Sequence, residues 1–217
     1  MSTGEGGFGV LHGACGMLAA DNIQIFIDVC AESAAKGVSP QLNLDLQAEF
    51  NGATALAVSA YMGSCETTEV LLKAGVNRTM MNDHGATVLH DAACNSSMAP
   101  EVLDLLWDKE AVNINHQRKP RNMKWWVIDR VFETIYRYNI DRSDLAREIS
   151  GCRYSTPLHE AAYCGNLSTC KWLLQNGAQK SLELRNKMGR TPLHNAILCQ
   201  HGEVAKFLEG AAASSST

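Results

Sequence analysis

"STPLHEAAYCGNLSTCKWLLQNGA", residues 155–178, decides the fold, because much of it returns as "RTPLHNAILCQHGEVAKFLEGAA", residues 190–212. The spelling has local reasons. A threonine side chain caps a helix start by taking up an orphan backbone N–H, worth about 1 kcal/mol. Pro157 and Pro192 follow at the first helical position, where a missing N–H costs nothing. Leu158, Ala161 and Ala162 supply an apolar face with small residues that let helices approach closely. Gly165 and Gly177 suit the left-handed backbone that ends a helix. Trp172, Leu173 and Leu174 supply the packing surface of a second helix. A helix pair this small leaves that surface open, so copies must stack, and repetition makes the core.

Outward from this stretch, the same word stands as "GVLHGAC" (9–15), "TALAVSA" (54–60), "TVLHDAA" (87–93), "TPLHEAA" (156–162) and "TPLHNAI" (191–197). The steps between them are 45, 33, 69 and 35 residues. The second half of the unit recurs as well, in "TTEVLLKAGVN" (67–77), "STCKWLLQNGA" (168–178) and "GEVAKFLEG" (202–210). From the histidine slot to the exit glycine is 18 residues both in 57–75 and in 159–177. A period of about 33 residues carrying Thr-Pro-Leu-His-x-Ala resembles the ankyrin repeat. The resemblance implies an all-α solenoid of stacked helix pairs with short hairpin fingers. Five units are expected at about 9–53, 54–86, 87–116, 153–187 and 188–213, with a helical insertion at 117–152.

The step of 69 exceeds one period by 36 residues. In the surplus, Trp125, Ile128, Phe132, Ile135 and Asn139 fall on one helical stripe, with Val131 and Tyr138 beside it. We expect helices at 124–138 and 143–150, the second capped by Ser143 or Asp141. Three readings stand side by side: a decayed repeat, a cover folded back on the solenoid, and an element of a binding surface. Against the decayed repeat, Trp125 and Trp126 land where the family needs small alanines. Residues 116–153 hold nine Lys and Arg against five Asp and Glu, whereas the whole chain is −4. Such asymmetry orients a partner. The basic run "HQRKPR" (116–121) alternatively suggests nucleic acid or nuclear import, a weak signal at four basic residues.

Elsewhere, alternation from Gln41 to Leu46 suggests a longer hairpin in the first unit, and the tail "GAAASSST" is expected to fray. The "DKE" at 108–110 is a solvated helix end. By the 35-residue offset, Ala212 stands where Gly177 stood. Apolar residues make up 46% of the chain and aromatics 6%, which favours a helical core. No run approaches the roughly 18 apolar residues of a membrane span, and no secretory leader is visible at the start. Eight cysteines at 15, 30, 65, 94, 152, 164, 170 and 199 lack metal or disulfide spacing and read as small core hydrophobes, which suits an intracellular, cytoplasmic or nuclear chain.

The histidines at 12, 90, 159 and 194 share one slot of successive units, filled by Ala57 in the second. The resemblance makes them structural rather than catalytic or metal-binding. Phosphate loops, nucleophile elbows and His-Glu-x-x-His are missing, so no catalytic, cofactor-binding or metal-binding residue is expected. The family resemblance implies a protein-binding scaffold, an adaptor or a subunit of a larger assembly, with no catalysis of its own. The alternative is the ankyrin part of a larger signalling protein or enzyme whose activity lies elsewhere. Expected partners are proteins or multi-protein complexes, with no small-molecule substrate. Contact is expected at Arg78, Met80 and Asn82, at Arg118, Lys119, Arg121 and Trp126, and at Arg185, Lys187 and Arg190. Trp125, on the stripe, should pack inward and leave Trp126 free.

Overall fold

A computed structural model describes residues 9–17, 20–38, 42–137 and 153–215. Among them are eleven α-helices, one 3-10 turn and no strand. Ten helices form five pairs: α1 (Val10–Met17) with α2 (Ala20–Ala35), α3 (Ala55–Met62) with α4 (Cys65–Lys73), α5 (Val88–Ala93) with α6 (Pro100–Leu106), α8 (Pro157–Tyr163) with α9 (Leu167–Gln175), and α10 (Pro192–Leu198) with α11 (Gly202–Ser215). The eleventh, α7 (Met123–Arg137), stands alone. The helix expected at 143–150, with Asn139, Tyr138 and Cys152, lies outside the described residues.

The threonines start the helices as the sequence implies. Thr54 Oγ1 accepts from Ala57 N at 3.2 Å. At Thr87, Thr156 and Thr191 the cap is reciprocal: the histidine three residues on takes the threonine's own N–H on Nδ1, at 3.2, 3.2 and 3.4 Å. Histidine here does the work of glutamate in the common capping box. A ring nitrogen that accepts carries no proton, so Nε2 holds it and donates. From His90 it goes to Ser155 O at 3.2 Å, and from His159 to Arg190 O at 3.0 Å. His12 Nε2 stands 2.9 Å from Ala53 O. Each acceptor immediately precedes the next unit's threonine slot, so the ring ties a unit to its successor. Burial drives His159 down to about 4 and His90 well below the usual range, keeping both neutral. His194 differs: it caps its own helix through Thr191 but is exposed, and no described residue takes its Nε2.

The pairs stack in two rows. First helices contact in the order α1, α3, α5, α8, α10, and second helices in the order α2, α4, α6, α9, α11. Leu56, Leu89 and Leu158 fill the first row, with Ala60, Ala92, Ala93, Ala161 and Ala162 at zero exposure between helices. Ile23, Leu71, Leu103, Leu106, Leu173 and Leu208 fill the second. Trp172 bridges units by donating Nε1–H to Asp104 at 2.7 Å and standing edge-on to Trp107. The described cysteines are free thiols, and burial raises Cys15 to about 11 and Cys170 to about 12, as for small apolar side chains rather than nucleophiles. Beyond α6, Asp108, Lys109 and Glu110 form a turn, with Lys109 and Glu110 exposed.

Two local expectations change. Residues 42–46 form a turn rather than an extended hairpin, with Leu44 packed on the core, so the alternation marks a looping finger. The tail does not stop near Ala212: α11 runs on to Ser215. Gly177 sits at φ 105 and ends its unit's second helix in the left-handed region, whereas an alanine in that slot favours continuing the helix.

Four fingers join the five units, at 42–53, 76–86, 112–121 with 153–155, and 178–190. In the second and fourth, Asn82 N donates to Ala86 O and Asn186 N to Arg190 O, and Gly85 and Gly189 close the tips. In the third, Arg118 N donates to Ser155 O and Tyr154 N to Arg118 O. Arg118 therefore holds the asparagine position, and Tyr154, at φ 59, holds the glycine position. Residues 119–153 replace the two tip residues Asp83 and His84. The cross-finger ladder survives the interruption: Asp83 N bonds Asn51 O, Arg121 N bonds Asp83 O, and Lys187 N bonds Arg153 O, each at 2.8 Å. One tip residue has been split into a donor, Arg121, and an acceptor, Arg153. Because α5 packs on α8 and α6 on α9, α7 enters neither row and the surplus is no repeat within the stack.

Candidate functional site

The fingertip helix α7 has two faces. On one, Trp125 is 7% exposed, 5.6 Å edge-on to Phe50 of the first finger, with its centroid 3.9 Å from that of His84 in the second. Ile128 and Phe132 continue this face, half-buried. Asp129 also belongs to it, being four residues beyond Trp125. It is buried and lies 3.7 Å from Arg153. Burial raises its carboxyl to about 6, against the lowering pull of Arg153 and Arg118. Lys124 caps the edge by donating to Phe50 O at 3.2 Å. Burial, with Arg118 and Lys124 nearby, drives His84 down to about 4.

The opposite face carries Met123, Trp126, Val127 and Val131 at 71, 45, 47 and 50% exposure. Residues at i, i+3, i+4 and i+8 share a helix side, so this is a continuous apolar stripe without a covering element among the described residues.

The residues expected to meet a partner divide into three groups. Lys119 and Arg121 are exposed; Lys119 Nζ stands 5.4 Å over the Tyr154 ring, and Arg121 Nη1 donates to Met81 O at 2.8 Å. Arg185 is exposed and donates to Gly189 O, while Arg78, Met80, Lys187 and Arg190 are half-buried along the fingers. Trp126 lies on α7, apart from them. Two residues are turned inward. Asn82, at 9% exposure, accepts from His84 N and Ala86 N and so holds its own fingertip. Arg118 points under the third finger, 3.1 Å from Glu160, with side chains 13 and 8% exposed. Asp91 shares that interior: burial first, then Glu160, raise it to about 7, and Arg118 opposes. Arg118 is thus a buried counter-charge. Its register opposite Ser155, which cannot be read from composition, puts it there.

The structure adds a cleft that the sequence reading missed. About 570 Å³ of space lies between the second, third and fourth fingers, with Lys119 and Arg121 on one side and Lys180 on the other. Lys180 sits in the 3-10 turn Ala178–Leu182 and is exposed. Its signal was the finger position itself, two residues beyond Ala178, and only stacking shows that it faces Lys119 across a gap. Among the described residues no group of three His, Cys, Asp or Glu side chains is placed to hold a metal, and no helix is long and apolar enough to cross a membrane.

The family model for ankyrin repeats (three copies) matches residues 16–118 and 130–215. Over 56 residues, 25% of the chain, the sequence is 46% identical to the Arf-GAP with coiled-coil, ANK repeat and PH domain-containing protein 2 of Gallus gallus. The counterparts from Rattus norvegicus and Homo sapiens match at 46% over 54 residues, 24% of the chain. The match spans 7% of the length of each of these relatives. With the family match covering most of the chain and both helix rows, the chain belongs to the ankyrin-repeat family, whose repeats are non-catalytic protein-interaction modules.

Proposed function

We propose that this chain is a protein-binding scaffold or adaptor, or a structural subunit of a larger assembly, with no catalysis of its own. The fingers and the outward face of α7 are its binding surface. The observation that carries this is the division of α7: the Trp125 face is fastened to two fingertips, while Trp126 and its apolar neighbours meet water. Tryptophan is enriched among residues whose truncation costs a complex about 2 kcal/mol or more. A reducing, intracellular setting, cytoplasmic or nuclear, belongs to the same reading and is supported by the free thiols.

A second reading is favoured by the relatives, whose names join ANK repeats to Arf-GAP, coiled-coil and PH domains. On it, the chain is the ankyrin part of a larger signalling protein or enzyme, and the same surface serves to place that activity. Affinity purification of the tagged chain from its native cells, with Trp126→Ala in parallel, tests the binding role. A stoichiometric protein should be recovered with the wild type and fall at least tenfold, about 1.4 kcal/mol, with the variant, whose melting temperature should be unchanged. Equal recovery of every protein with both forms would remove the role from α7.

A further inference from the structure

The cleft between the second, third and fourth fingers has a chemistry of its own. Its cations Lys119, Arg121 and Lys180 converge from two fingers, and no carboxylate lines it among the described residues. None of the three makes an ion pair among the described residues. Arg121 has given one guanidinium N–H to Met81 O and keeps others, and Lys119 and Lys180 are exposed, with Lys119 Nζ 5.4 Å over the Tyr154 ring. His116, at the floor, is bound to Gly85 O, and burial lowers it, so it adds no charge at neutral pH. Met81, Pro120 and Leu184 give the walls apolar patches. The chain as a whole is −4, so this basic cleft stands against an acidic molecule.

We infer that the cleft receives an acidic peptide segment of a protein partner, with carboxylates on Lys119, Arg121 and Lys180 and an apolar side chain against Met81, Pro120 and Leu184. The inference rests on the protein-binding reading above and names the partner's chemistry. A nucleic acid is the poorer occupant. Among the described residues no Phe, Tyr or Trp lines the cleft to stack bases, the nearby Tyr154 ring lying under Lys119, and strand-binding grooves depend on such platforms. The acidic remainder of the chain would also repel a long polyanion. Three converging cations flanked by apolar walls suit a short segment whose charges and aliphatic groups alternate.

The test is fluorescence anisotropy of the purified full chain with three labelled probes: a short peptide alternating Glu and Leu, the same peptide with Lys for Glu, and a single-stranded RNA. The acidic peptide should bind with a Kd below about 100 µM at low salt, weakening several-fold as salt rises. The Lys peptide should not bind. Lys119→Glu with Lys180→Glu should weaken the acidic peptide at least tenfold with an unchanged melting temperature, because both side chains are exposed. Absence of binding by about 1 mM, equal binding by the double variant, or tighter RNA binding through the same lysines would overturn the inference. Failure here is separable from failure of the binding role. A cellular partner lost with Trp126→Ala but kept by the double variant overturns the cleft alone. Recovery of every protein unaffected by either variant overturns both.

Discussion

Trp125→Ala should release α7 from the fingers, whereas Trp126→Ala should not. A buried tryptophan removes about 150–250 Å² from water. At about 25 cal/mol per Å² that is roughly 4–6 kcal/mol, reduced by about a third because unfolded chains already bury part of it. The Trp125 indole N–H is buried without a partner among the described residues, which opposes burial by about 1–3 kcal/mol. About 2 kcal/mol remains. Since α7 belongs to neither helix row, the loss should appear first as local opening rather than global unfolding. Amide hydrogen exchange read by mass spectrometry should show peptides from 123–137 exchanging about 30-fold faster in Trp125→Ala, the factor 2 kcal/mol represents, with α8 and α9 unchanged. Trp125→Phe keeps a ring against Phe50 and deletes the orphan N–H, so it should cost far less. Unchanged α7 exchange in Trp125→Ala, or an equal effect of Trp126→Ala, would refute the two-faced reading.

His159→Ala should lower unfolding stability by about 1–3 kcal/mol in urea, because Thr156 N and Arg190 O both lose their partner; His194→Ala, at an exposed ring, should cost under about 1 kcal/mol. The alanine pair Gly85→Ala and Gly189→Ala shares φ +74, but only at Gly85 would the new Cβ stand 2.2 Å from Lys119 O. Gly189→Ala should cost about 1–2 kcal/mol, and Gly85→Ala should cost more and also accelerate exchange in α7. Stability should fall by about 2 kcal/mol between pH 7 and pH 5, checked by urea midpoints. Below about 6.5 the unfolded chain protonates His84, His90 and His159 while the folded chain holds them neutral, so stability drains as pH falls from 6.5 towards 4. Asp91 and Asp129, raised to about 7 and about 6, act oppositely, protonating first in the folded chain, but they are two against three.

What was legible in the sequence follows the repeat. The Thr-Pro-Leu-His word placed the helix starts, because cap, first-turn proline and histidine are local chemistry within four residues. The stripe through Trp125, Ile128 and Phe132 likewise placed α7 to within a residue, because periodicity records which face is buried. Asp129 was passed over although it lies on that stripe, since its partner Arg153 is remote in sequence and meets it only when the third finger closes. Arg118 is hidden from a sequence reading for the same reason: its burial comes from the finger register with Ser155. Asn82 looks like a contact residue from its finger position, but its amide oxygen is occupied by its own turn. Lys180 and the cleft belong to no local pattern, being made by three fingers brought side by side.

The fingertip is where such an insertion does least damage, and the balance bears on what α7 is for. Lengthening the tip from two residues to 35 is about four doublings, each costing about 0.6 kcal/mol in closure entropy, or roughly 2–3 kcal/mol in all. The stack itself is untouched, since Arg121 and Arg153 between them keep the finger ladder complete. The Trp125 face returns about 2 kcal/mol, so docking α7 comes close to offsetting the closure cost. Nothing in that balance calls for Met123, Trp126, Val127 or Val131 on the outer face. There, leaving them in water costs solubility and gains no packing, and charged helix formers such as Glu or Lys would serve the fold as well. Stability therefore accounts for one side of α7 and leaves the other unexplained, and an apolar stripe on a helix fastened to two fingers is accounted for once a partner covers it.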